Sequence, residues 1–458
     1  MKKFVFVVAG IFAFALSADG QRYKIANIPT LGGAVSSVVA MNNLGQVVGN
    51  SDISPTVRHA FLWSKASGIQ DLGTLGGLNS SAVAVNDNGQ VVGSSDTAVQ
   101  GEFHAFLWSA QTGMIDLGSP GQSCNPLAIN ASGMVVGVCF LSNRQSQGFL
   151  WTAANGMQYL FGNSSGADAV NDKGLVLGGN LAYDAFLWSP SRGIQSLDYP
   201  GAKQTQVFHL NDNNQVVGYY QDPFTFGDQT FVWTQVGGFQ NLPTLGGRDV
   251  FASLINSSGQ VAGFSTVGPA STSIHAFIWS SINGIKDISP LPLPYLSSVT
   301  ALSNKGEVIG LVHQLGKNGF SFDWTPAGGS SIITGLVYGF ALNDAGQIAG
   351  SVKSGSKSAL FSPYIHVTLA SSLNPSKLGQ SVTLTATLTS AAGAPPNGEL
   401  VKFMKGTKIL ATVPLVNGIA TFTSSTLPIG TNLITADYAG DVNYDPTFSA
   451  SFKQVVAP

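Results

Sequence analysis

Residues 81–119 read SAVAVNDNGQVVGSSDTAVQGEFHAFLWSAQTGMIDLGS, and this stretch decides the fold because its parts recur along the chain. Its turn, NDNG at 86–89, returns as NNLG at 42–45, NASG at 130–133, NDKG at 171–174 and NDNN at 211–214. It continues as NSSG at 256–259, SNKG at 303–306 and NDAG at 343–346. Counted at the fourth turn position, the spacings are 44, 44, 41, 40, 45, 47 and 40 residues. A short apolar run ending in Gly follows the turn, as in QVVG at 90–93. A second motif keeps step: HAFLW at 59–63 and 104–108, GFLW at 148–151, AFLW at 185–188, TFVW at 230–233, HAFIW at 275–279 and FDW at 322–324. All seven tryptophans, Trp63, Trp108, Trp151, Trp188, Trp233, Trp279 and Trp324, hold this one position, and the eighth copy (Ala359–Leu360–Phe361) has lost it. A third motif, DLGTLGG at 71–77, recurs as IPTLGG at 28–33, DLGSPG at 116–121 and LPTLGG at 242–247.

Each unit reads as four strands. Ser81–Asn86 alternates small and apolar residues, and N-x-x-G turns the chain with residues that tolerate left-handed backbone. Gln90–Gly93 returns, the HAFLW strand follows, and the DLG strand closes the unit. Four strands in about 43 residues match the blade of a β-propeller. Solenoids of leucine-rich or hexapeptide type use shorter repeats, and the 3.6-residue period of helical repeats is absent. The chain opens with a strand of the third kind (Tyr23–Pro29) and ends the array with the other three, at about 338–361. A ring would merge these ends into one shared blade and hide both sheet edges. The expectation is an all-β fold with a closed propeller of about eight blades, seven being the alternative. One buried Trp per unit removes about 150–250 Å² from water and suits packing between neighbouring blades.

The pattern N-x-x-G-Q-V-V-G, then H-A-F-L-W, then D-L-G-T-L-G-G resembles the HAF family of bacterial extracellular repeats over about residues 23–364. The resemblance implies export and residence at the surface or outside the cell. It brings no activity and no catalytic residue with it. Copies four, five, seven and eight depart in the third motif or the Trp.

Composition changes after Pro363. Residues 365–458 carry no Trp and alternate along Ser381–Thr389, Leu400–Phe403, Thr407–Val413, Ile419–Thr423 and Leu433–Tyr438, with Pro and Gly turns between them. That spacing is of a β-sandwich. LNPSKLGQSVTLTATL, NGIATFTSSTLPIGTNLITADYAGDVNY and the trailing SASF resemble a bacterial Ig-like domain. The resemblance implies a spacer or adhesion module.

At the other end, Lys2 and Lys3 precede an apolar run from Phe4 to Leu16 and small residues Ser17 and Ala18, the layout of a secretory signal peptide. The expected organisation is therefore a signal peptide at 1–18, the propeller at 19–364 and the Ig-like sandwich at 365–458, with no membrane span after cleavage. Charged residues are only 10% of the chain and the formal net charge is −2, which excludes an electrostatic footprint for nucleic acid.

Chemistry is sparse. Cys124 and Cys139 each lie six residues from the NASG turn, so a hairpin sets them opposite one another, and export favours a disulfide over two thiols. Asp71, Asp116 and Asp287 share one repeat position, Asp87, Asp172, Asp212 and Asp344 another, and His59, His104 and His275 lead the HAF motif. Recurrence of this kind marks a requirement of the fold, so no catalytic residue, metal ligand or cofactor is assigned. The turn Gly440–Asn443 reads as a side-chain-stabilised turn rather than a Ca²⁺ loop. Function is sought where the repeat breaks: at the aromatic insert Tyr220, Phe224 and Phe226, and at Tyr295 in PLPLPYL (290–296). The reading at this point is a secreted, monomeric, non-enzymatic binding or structural protein for an extracellular glycan or protein. The alternative is a carbohydrate-active enzyme with acids in the propeller channel, for which two carboxylates outside the repeat pattern would speak.

Overall fold

The computed structural model describes the chain apart from residues 1–21, 120–122, 142–144, 163, 181–183, 223–226, 269–272, 293–294, 314–318 and 353–356. The signal-peptide segment and two aromatics of the insert, Phe224 and Phe226, lie outside the described residues.

Within the described residues every regular element is a strand. Residues 36–71, 76–116, 123–159, 165–196, 205–241, 246–287 and 296–332 each form a four-stranded antiparallel meander, blades 1 to 7. Blades 2 and 3 also touch through one parallel bridge, Ser123 to Phe103. Blade 8 takes three strands from 336–363, and its fourth is the first strand of the chain. Tyr23–Ile28 pairs antiparallel with Lys357–Pro363, Tyr23 opposite Pro363 and Ile28 opposite Ser358. Arg22 and Tyr23 extend this closure to blade 7, where both bond the buried Asp323 at 3.0 and 2.8 Å.

The turn motif does more than reverse the chain. In blade 2 the side-chain Oδ1 of Asn86 accepts from the backbone N–H of Asn88 and Gln90, stabilising its own turn. The Asn86 amide donates to Gln90 Oε1 and to the backbone carbonyl of Asn130, one blade on. The same reach runs Asn42 to Asn86, Asn130 to Asn171, Asn171 to Asn211, Asn211 to Asn256 and Asn256 to Ser303. Asn343 returns it from blade 8 to Asn42, with a longer bond of 3.4 Å, while Ser303 in blade 7 has no amide to reach blade 8. The glycines fit this latch. Gly89 has φ of 73°, and a Cβ there would stand 3.2 Å from Gln46 Oε1 of the preceding blade. In the second strand, a Cβ on Gly93 would come within 2.0 Å of the Ser81 carbonyl and 2.6 Å of the Phe106 ring.

Apolar packing follows the joints rather than the blades. Trp108 lies in one cluster with Val91 and Phe106 of its own blade and with Val48, Leu62 and Leu72 of blade 1. Trp63 does the same between blades 8 and 1, among Phe61, Ala349 and Leu360. Cys124 and Cys139 are disulfide-bonded across the first two strands of blade 3.

The C-terminal region is a sandwich of two sheets. One contains His366–Ser371, Val382–Thr389 and Ile419–Ser424; the other is centred on Leu400–Lys405, Gly430–Tyr438 and Phe452–Ala457. Leu384, Leu388, Phe403, Ile434 and Tyr438 fill the space between them. The sandwich is seated on the ring at the joint between blades 8 and 1. Gln347 donates to the Asn443 carbonyl at 2.9 Å, and the Asn443 amide donates to the Asn43 carbonyl at 3.0 Å. Lys65 and Lys24 reach Asp445 at 3.1 and 3.5 Å. Asp441 accepts from the N–H groups of Asn443 and Tyr444, a side-chain-stabilised turn. No trio of His, Cys, Asp or Glu suited to a metal ion occurs among the described residues.

Candidate functional site in the ring

The recurring polar residues are occupied by the fold. Asp87, Asp172, Asp212 and Asp344 each accept from a backbone N–H of the preceding blade's turn, at 2.7–2.9 Å. His59, His104 and His275 pair through Nδ1 with Asp71, Asp116 and Asp287 of their own blades. The turn ends of seven blades surround a polar opening of about 360 Å³, which Asn43, Asp87, Asp172, Asn304 and Asp344 help to line. That opening marks the centre of the ring.

The innermost strand of every blade carries a β-bulge three residues before its turn Asn or Ser. A bulge re-aims one side chain out of the ladder. The bulged residues are Val39, Val83, Leu127, Asp168, Phe208, Ser253, Thr300 and Phe340, so blade 4 alone places a charge there. Asp168 lines a cleft of about 390 Å³ that spreads from the inner strands of blades 3, 4 and 5 across blade 4. Its surface stays open within the cleft while protein atoms crowd around it, and that desolvation raises its pKa to about 6.

Blade 4 breaks the repeat at three further points, and all of them line this cleft. Gly166 pairs in register with Gly179, where blade 1 has Ser37 with Asn50 and blade 6 has Phe251 with Phe264. The missing side chains make the room, and a Cβ on Gly166 would stand 3.2 Å from Asp168 Oδ1. The third is Asp184, which occupies the place of the HAF histidine: DAFLW stands where blade 2 has HAFLW. The aspartate that pairs with that histidine elsewhere is Ser196 here. Asp184 instead accepts from the Asn180 side-chain amide at 2.8 Å, and both residues line the cleft. Ser146, Thr205 and Gln206 add hydroxyl and amide groups.

Of the aromatic residues expected to bind, Tyr220 and Tyr295 stand elsewhere. Tyr220 is 5% exposed, stacked on Tyr199 with ring centroids 3.7 Å apart, and both hydroxyls accept from Asn241. Strand alternation turns it into the joint, so it offers no face to a ligand. Tyr295 is half-buried against the core between blades 6 and 7. Asp168 and Asp184, which line the cleft, carry no motif of their own. Reading the bulge position and the first HAF position across all eight copies would have isolated both.

Residues 369–457 match the bacterial Ig-like domain family, group 3. No curated protein matches the chain. Among solved structures, the chain is similar to the propeller domain of the Trilobed protease from Pyrococcus furiosus, at 9% identity and a TM-score of 0.44, over 66% of this chain and 98% of that one. It is similar to dipeptidyl peptidase 4 from Porphyromonas gingivalis, at 8% identity and a TM-score of 0.48, over 91% of this chain and 66% of the other. A post-proline cleaving enzyme from Rickettsia typhi matches at 12% identity and a TM-score of 0.44, over 78% of this chain and 57% of the enzyme. The chain thus spans little more than half the length of that enzyme. At these identities the likenesses show the fold alone. The expectation of a non-enzymatic protein, which rested on finding no catalytic motif, is corrected here: the solved chains matched are named as peptidases.

Proposed function

We propose that the protein is an exported hydrolase that works in the blade 4 cleft, with Asp168 as acid and Asp184 as base. The observation that carries this reading is the convergence of two carboxylates, each an exception at its repeat position, on a space cleared by Gly166 and Gly179. A protonated Asp168 donates its proton to the leaving atom of the substrate, oxygen in a glycoside or ester and nitrogen in an amide, as the bond to that atom breaks. Asp184 takes a proton from the attacking water as the new C–O bond forms, so one water is consumed and no other reactant is needed. The raised pKa of Asp168 supports the acid role at mildly acidic pH.

Export is supported by Lys2, Lys3 and the apolar run from Phe4 to Leu16, and by a disulfide that persists in oxidising compartments. The HAF-type pattern of the array points the same way. The test is hydrolysis of chromogenic glycosides, peptide anilides and esters by the secreted chain. The expected result is turnover of one class that falls at least 100-fold in Asp168→Asn and in Asp184→Asn. Turnover that both variants retain, or none on any class, overturns the reading.

A further inference from the structure

Blade 8 presents the ring with a surface of another kind. At the two inner-strand positions that hold Gly166 and Asp168 in blade 4, it carries Tyr338 and Phe340. Both are large aromatics left nearly half exposed, at 46% and 47%, with ring centroids 6.3 Å apart and planes tilted by 30°. The inner-strand aromatics of blades 5 and 6 behave differently. Phe208 and Phe251 pack on Tyr219 and on each other at 5.3–5.6 Å. Exposed aromatic surface on a rigid strand has no packing role to explain it. Blade 8 is four blades from blade 4 in a circle of eight, so the aromatic pair and the acid cleft stand on opposite sides of the ring centre.

We propose that the ring takes an extended glycan chain, one sugar stacking on Tyr338 and Phe340 while another reaches the blade 4 cleft; the location of the cleft rests on the hydrolytic reading above. A pyranose offers an apolar C–H face and a rim of hydroxyls. The first suits an open aromatic ring, and the second suits a cleft lined by Ser146, Asn180 and Gln206. Two stations on opposite sides of one ring require a ligand longer than either station, so affinity should grow with chain length.

The test is calorimetric titration of the full chain carrying Asp168→Asn with cellohexaose, chitohexaose and xylohexaose, their trisaccharides, and an uncharged hexapeptide. One hexasaccharide is expected to bind at least tenfold more tightly than its trisaccharide. Adding Tyr338→Ala and Phe340→Ala should weaken it at least tenfold, while Tyr338→Phe, which keeps the ring, stays within threefold. Because both side chains are exposed, melting temperature serves as the folding control. Absence of hexasaccharide binding, equal binding by the double alanine variant, or binding of the peptide alone overturns the proposal. A hexasaccharide held through the aromatic pair yet never cut by the unmodified chain sinks the hydrolytic reading and leaves the glycan platform. Peptide or ester cleavage lost in Asp168→Asn, with no saccharide bound, does the reverse.

Discussion

Blades 2 and 4 began from the same pattern and differ in what they do with it. Blade 2 keeps every element: a ten-residue inner strand, the His104–Asp116 pair, a buried Trp108 and an uncharged Val83 at its bulge. Its polar groups are consumed by turns and by the latch to blade 3. Blade 4 has strands of six, five, five and four residues, two paired glycines, no histidine and a half-buried Trp188. It keeps the Asn171 latch to blade 5 but gives up much of its side-chain filling. The ring can carry one thin blade because each joint is held from both sides. What blade 4 loses in packing it gains in space, and its two unmatched carboxylates face that space.

The largest expected effect lies in the packing. Trp108→Ala should destabilise the chain by about 3–5 kcal/mol in denaturant unfolding, because it removes a buried ring from the joint of blades 1 and 2. Trp188→Ala should cost about 1–2 kcal/mol, since that side chain is only partly buried. Equal losses would erase the contrast between the blades. Next comes the latch: Asn86→Ala takes one of two donors from the buried Asn130 carbonyl and strips the Asn88 and Gln90 N–H groups of their acceptor, and should cost about 2–3 kcal/mol, read as a fall in melting temperature.

A smaller and opposite effect belongs to blade 7, where Glu307 replaces the Gln of blades 1, 2, 5, 6 and 8. Burial raises its pKa to about 7, and its Oε2 has no hydrogen-bond partner. A carboxyl whose pKa is raised in the folded state supports stability below its unfolded value, near 4.5, and loses that support as pH rises through about 7. Glu307→Gln should therefore stabilise the protein by about 1–3 kcal/mol at pH 8 and change little at pH 4. A pH series of melting temperatures for the two proteins checks the sign.

Much of this was legible in the sequence because the repeat states it eight times. Strand order, blade completion by Tyr23–Ile28 and the position of the tryptophans all follow from pattern and period. The latch was hidden because the Asn of N-x-x-G reads as a local turn former, while its amide bonds a residue 40–47 positions away. Asp168 was hidden because a bulge shifts which residues share a face, and alternation alone does not reveal one. Asp184 was passed over because the HAF motif was read there as AFLW, without its first residue. Tyr220 misled for a simple reason: it adjoins an aromatic insert, but the strand turns it inward.

The central claim is that repeated residues hold the ring and the exceptions in blade 4 act on a ligand. The most direct measurement sets Asp168→Asn beside Asp87→Ala, each assayed for melting temperature at pH 8 and for hydrolysis per folded molecule. Asp87→Ala should melt lower with its turnover intact, and Asp168→Asn should melt no lower with its turnover lost. An Asp168→Asn protein that melts markedly lower and still turns over at the unmodified rate would contradict that claim.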